Sequence, residues 1–158
     1  MKWYKRTIVL AVGLGIELFF ASISAFMIRA NGDWVESLAL PYFAPTSPLP
    51  FALLSEGMYL FSAISLAAYA DRVSDLPKGI LCNVAEGISE IVFLAFFFEL
   101  TYEISSFFIA TACLILSFAN MWIFSRKSGS AALLRLPVAQ IKLYYWMIVY
   151  CILTLNFT

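Results

Sequence analysis

Residues 79–100 read GILCNVAEGISEIVFLAFFFEL, an apolar run interrupted by two glutamates four positions apart. At about 1.5 Å of rise per residue, a helix of this length crosses a hydrocarbon core of about 30 Å. Four further runs have the same character, so the sequence predicts helices over 7–28, 51–70, 79–100, 105–124 and 133–155. The whole chain has 63% hydrophobic residues, 13% charged residues and a mean hydropathy of +0.89, too little polar surface to cover a water-soluble globule. The expected fold is an all-α integral membrane protein, a five-transmembrane-helix bundle forming one domain over residues 1–158, with a proline- and aromatic-rich first loop. Lys2, Lys5 and Arg6 before an apolar stretch resemble a signal peptide, but the stretch outruns the usual h-region of about 15 residues and contains Glu17, so it reads as a helix.

Basic residues orient the bundle. Lys2, Lys5, Arg6, Arg72, Lys78, Arg126, Lys127 and Arg135 all fall on one side of a five-helix chain, against Arg29 alone on the other. The positive-inside rule then predicts a cytoplasmic N-terminus and an outward C-terminus, in what reads as a bacterial cell membrane. Nearly all of the chain is membrane, which leaves no soluble catalytic domain and no basic nucleic-acid-binding surface; lipid is the first partner.

Ionisable residues inside the apolar runs are the main functional signal. Glu17, Glu56, Glu86, Glu90 and Lys142 fall there, and each costs at least about 2.5 kcal/mol near the bilayer centre unless it turns inward, pairs or takes up a proton. Glu86 and Glu90, at i and i+4, share a helix face. Glu17, Glu90 and Lys142 lie near the midpoints of their helices, so a Lys142 pair with Glu90 or Glu17 is geometrically open. Four carboxylates against one ammonium leave an excess of three, which favours a cavity for a proton or a cationic ligand over simple salt bridging. No cofactor or metal is expected: histidine is absent, and Cys82, Cys113 and Cys151 have no ligand-like spacing and read as packing residues. Neither a nucleophile paired with a base nor a phosphate-binding glycine loop is visible, so the chain reads as a non-enzyme.

The first loop carries the most specific pattern: Trp34-Val-Glu-Ser-Leu38-Ala-Leu-Pro41-Tyr-Phe43-Ala-Pro45, followed by Pro48 and Pro50. Prolines restrict the loop while Trp34, Tyr42 and Phe43 present aromatic faces, as an interfacial anchor or as a lid over the bundle. The spacing Trp-x3-Leu-x2-Pro-x-Phe-x-Pro resembles the first-loop signature of the translocator protein family, the tryptophan-rich sensory proteins (TspO/MBR). Tyr59 with Ser62 to Ser65, the pair Phe97-Phe98, and Leu133-x3-Pro137 with Asn156 fit the same frame, so the resemblance covers most of the chain. Where the family has a second proline, pocket tryptophans and two asparagines, this sequence has Thr46, Leu49, Ser55, Glu90, Phe93, Ile141 and Val149.

The resemblance implies a ligand-binding membrane receptor or sensor, in which a small apolar or amphipathic ligand, cationic or tetrapyrrole-like, sits in a pocket within the bundle beneath the first loop. Porphyrin and sterol-like ligands and a homodimer come from the resemblance alone; Ala11 with Gly15, or Ala21 with Ala25, would permit close helix contact. The residues expected at the ligand are Trp34, Pro41, Phe43, Pro45, Glu56, Tyr59, Glu90, Phe93, Lys142 and Trp146, with Glu17 and Glu86 as further intramembrane charges. Two other classes remain open: a proton- or cation-coupled transporter or exporter, and a non-catalytic membrane subunit of a larger complex.

Overall fold

A computed structural model describes residues 2–30, 41–45, 48–99 and 103–156. It contains five helices long and apolar enough to cross a membrane. They are α1 (Trp3–Ala30), α2 (Pro48–Tyr69), α3 (Leu76–Leu94, continuing as a π-helical turn over Ala95–Glu99), α4 (Glu103–Ser125) and α5 (Gly129–Asn156). All five expected spans are present, and each begins two to four residues earlier than the apolar run suggests, because polar first turns still form helix at a membrane surface. Trp34 and Leu38 of the first-loop pattern lie outside the described residues.

The helices close into a ring. α1 packs on α2 and α3, α2 on α5, α5 on α4, and α4 on α3. Small residues let the backbones approach: a Cβ on Gly13 of α1 would lie 3.4 Å from the Ala63 carbonyl oxygen of α2, and one on Gly87 of α3 would sit 2.5 Å from the Phe20 ring of α1. Pro77 stands in the first turn of α3, where its missing N–H breaks no helical bond.

One end of the ring carries the charge. Arg6 pairs with Asp71 at 2.7 Å, Lys127 pairs with Asp75, and Arg126 lies over the Trp122 ring at 4.9 Å. Lys2, Arg72 and Lys78 are exposed at that same end. The interior is layered along the membrane normal. Towards the first loop, Phe51, Phe93, Phe97, Phe98, Tyr145, Ile148 and Ile152 form an aromatic and aliphatic core. At the charged end, Tyr69 and Phe124 stack with ring centroids 4.3 Å apart. Buried polar and ionisable side chains occupy the layer between them.

Arg135 does not belong to the charged end with the residues it was grouped with by sequence. Since α5 starts at Gly129, Arg135 is already within the second turn, and its side chain is wholly buried.

Candidate functional site

Each helix delivers its polar residues along one buried stripe. On α3 the stripe is Asn83, Glu86, Glu90 and Phe93; on α5 it is Arg135, Val138, Lys142, Tyr145 and Val149; on α1 it is Gly13, Glu17, Phe20 and Ser24. These are steps of three or four residues, so the side chains stand above one another on the face turned to the ring's centre.

Glu86 is the hub of the polar layer. Its Oε1 accepts a hydrogen bond from Asn120 Nδ2 at 2.8 Å and lies 2.8 Å from Arg135 Nη2, which approaches off the hydrogen-bond direction; its Oε2 accepts from Lys142 Nζ at 3.3 Å. Arg135 Nη1 donates to Asn83 Oδ1 at 2.7 Å and to Ser65 Oγ at 3.0 Å, while its guanidinium lies 4.4 Å over the Phe124 ring. Asn120 also donates to the Cys82 carbonyl at 3.1 Å, and Asn83 to the Ser62 carbonyl at 3.1 Å. Four helices are thereby tied at one level. Such a network is worth having only when its members find partners, since an unpaired polar group in a low dielectric is costly.

Two members have oxygens left over. Glu17 is 3% exposed and Glu90 1% exposed, and Oε1 of each has no hydrogen-bond partner. The buried cluster therefore sets the carboxyl groups of Glu17, Glu86 and Glu90 against Arg135 and Lys142. This corrects the sequence count in two places: Arg135 joins the interior, and Glu56 leaves it, being exposed on the outward side of α2. The imbalance shrinks from three carboxylates to one. Lys142 is likewise paired with Glu86, not with Glu90 or Glu17, because Lys142 and Glu86 meet where α5 faces α3 across the ring.

Between α1 and α2 the outer wall opens into a groove of about 510 Å³, lined by Leu14, Glu17, Leu18, Ala21, Ser22, Ala25, Arg29, Glu56, Tyr59 and Leu60. Its walls are mostly aliphatic and small, and it carries two carboxylates and one guanidinium. Glu17 and Tyr59 also line a void of about 10 Å³ shared with Ser62, Asn83, Glu86 and Lys142. That is roughly the space of one water molecule. Glu17 and Tyr59 thus form the partition between groove and ion cluster. Tyr59 is held in place by a 2.6 Å hydrogen bond to Ser24 and by stacking on Phe20.

The expected ligand residues separate into four places. Glu56 and Tyr59 line the groove, while Glu90 and Lys142 belong to the ion layer. Phe93 stacks on Phe97 and Tyr145 in the aromatic core, whose remaining void is only about 10 Å³. Phe43 packs against Tyr144, whose hydroxyl donates to the Phe43 carbonyl, so the described part of the lid, including Pro41 and Pro45, rests on filled core. Trp146 points the other way, donating to Thr111 Oγ1 at 2.9 Å and stacking on Tyr150. Among the described residues, no group of three or more His, Cys, Asp or Glu is arranged to hold a metal ion.

Asn83 and Asn120 were not singled out by sequence, and Arg135 and Arg29 were read there only as orienting charges. Arg135 had a signal: it precedes Lys142 by seven residues, two helical turns on the same face.

Fold and site together define an integral membrane protein with five candidate spans, a buried ion cluster and a lateral groove. No protein-family model matches the chain, and no curated protein matches it.

Proposed function

We propose that the chain is a non-catalytic ligand-binding receptor of the translocator-protein type, taking a small apolar or amphipathic molecule from the bilayer into the groove between α1 and α2. One observation carries this reading: the groove of about 510 Å³, which opens towards lipid and combines aliphatic walls with the ionisable groups of Glu17, Glu56 and Arg29. Ligand sites of about 300–1,000 Å³ with few, placed polar groups suit small molecules. The first-loop spacing and the five helices support kinship with the translocator protein family. The two carboxylates in the groove oppose the acidic side chains of a porphyrin and favour a neutral or cationic ligand. The reading includes a cytoplasmic N-terminus in a bacterial cell membrane, supported by the basic residues gathered at the N-terminal end of the ring.

The test uses purified protein in phosphatidylcholine nanodiscs with two radiolabelled probes, dodecanol and dodecyltrimethylammonium. At least one binds saturably above empty discs, and Ala21→Phe, which fills the groove wall, abolishes that binding while the variant keeps its helical content. Uptake no greater than in empty discs, or saturable binding untouched by Ala21→Phe, refutes the reading.

A further inference from the structure

We propose that the groove selects amphiphiles bearing a single cationic nitrogen, and that the ligand's cation replaces a proton held by the buried cluster at Glu17, so that one proton leaves as one ligand binds. This rests on the groove being a ligand site and names the class of ligand and its regulation by pH.

Charge and geometry carry it. Within the ring, Arg135 and Lys142 both converge on Glu86, leaving Glu17 and Glu90 to share what remains of their positive charge. Three carboxyl groups against two cations leave one negative charge that a dry interior does not tolerate. With the groove empty of ligand, a proton fills that role; among the charges facing the groove, a cationic headgroup fills it as well. Glu17 is where the two alternatives meet, because it is the carboxylate that lines both the groove and the void next to Glu86 and Lys142. Its Oε1 is buried and has no hydrogen-bond partner, so its charge is not already balanced by a donor.

The groups around Glu17 come from every helix packed near it. Arg135 and Lys142 face it from α5, Glu86 from α3, Tyr59 and Glu56 from α2, and Arg29 lies three turns along α1; Glu90 stands one turn beyond Glu86 on the buried stripe of α3. Glu90 cannot make the exchange with the groove, being absent from its lining. Glu56 lines the groove but is exposed, and sits outside the ion layer, so it attracts the cation without being coupled to the cluster's proton. Leu14, Leu18 and Leu60 supply the apolar track for the alkyl chain. A phospholipid amine is disfavoured, since its phosphate would enter beside two carboxylates.

The proton balance is simple. The carboxylic O–H of the cluster ionises, its proton passes to solvent, and the carboxylate meets the fixed positive charge of the ligand; no bond to carbon or nitrogen changes. Mass action then ties affinity to pH: wherever the empty cluster holds the proton, affinity for the cation rises about tenfold per pH unit, and it levels off above that range.

Dodecyltrimethylammonium is the test probe, because its charge does not titrate, and dodecanol is its uncharged counterpart. Both are measured in phosphatidylcholine nanodiscs between pH 5 and 9. The expected result is a cation affinity that climbs with pH towards a tenfold-per-unit slope and then flattens, a flat profile for dodecanol, and release of up to one proton per bound cation, read with an indicator dye in weakly buffered solution. Glu17→Gln removes the slope and the proton release, Glu17→Asp restores both, and Glu56→Gln weakens cation binding while keeping the slope. If dodecanol and the cation bind equally with flat profiles and no proton release, the groove stands as a ligand site and this exchange is overturned. Failure of both probes to bind overturns the groove itself. Loss of cation binding when phosphatidylethanolamine replaces phosphatidylcholine would make a lipid amine the occupant and overturn the choice of a phosphate-free amphiphile. Wild-type proton release decides the matter even if a Glu17 variant does not fold.

Discussion

Replacing Arg135 with methionine separates two accounts of the buried layer. If Arg135 acted only through its hydrogen bonds to Asn83 and Ser65, the loss would be modest, because hydrogen bonds between membrane helices average about 0.6 kcal/mol each. Two of them amount to about 1 kcal/mol. If Arg135 instead balances charge, its removal leaves three buried carboxyl groups facing Lys142 alone, and breaking a buried ion pair costs about 3–5 kcal/mol. Glu86 retains Asn120 and Lys142, so Arg135→Met is expected near the lower end of that range. Adding Glu86→Gln in the same chain restores the original difference of one between carboxyl groups and cations. The double variant should therefore be less destabilised than the sum of the singles by about 1–3 kcal/mol.

The assay is equilibrium unfolding in mixed micelles with rising dodecyl sulfate, followed by circular dichroism. Arg6→Met is the internal control: its pair with Asp71 is about half exposed, 47% and 49% for the two side chains, and such pairs contribute about 1 kcal/mol or less. The charge-balance account is refuted if Arg135→Met costs no more than Arg6→Met and its effect adds to that of Glu86→Gln without coupling.

Two further outcomes test packing and orientation. Gly87→Ala should destabilise by about 1–3 kcal/mol in the same assay, because its new Cβ meets the Phe20 ring, whereas Gly15→Ala, with nothing within 4 Å, should change stability little; equal effects would contradict the α1–α3 contact. In a chain carrying Cys82→Ala, Cys113→Ala and Cys151→Ala, a membrane-impermeant maleimide applied to intact cells should label Leu155→Cys and leave Lys2→Cys unlabelled until the membrane is broken. The reverse pattern would invert the proposed topology.

The helices were legible because length and apolarity suffice to define a span, and each observed span contains its expected run but for at most two terminal residues. That Glu86 and Glu90 turn inward was legible as well, since charge on a lipid face is too costly. Arg135 was missed for a local reason: a basic residue two positions into an apolar run looks like the end of a loop, and only the start of α5 at Gly129 reveals that its backbone is already in the second turn. Trp146 lies apart from the other expected residues for a rotational one. It follows Tyr145 directly, and adjacent helical residues point about 100° apart, so one faces the core and the other faces α4.

By itself the sequence determined that the chain is a five-span membrane bundle and that ionisable residues are buried in it, because both follow from the free energy of transferring local segments into lipid. Which charges meet, and where the wall opens, was decided by tertiary structure. The closing of the ring brings Lys142 and Arg135 onto Glu86, leaves oxygens of Glu17 and Glu90 unpaired, and leaves α1 and α2 parted at Glu17. Periodicity along one helix fixes the face a residue occupies; the neighbour that face meets depends on how all five helices pack, which no single segment encodes.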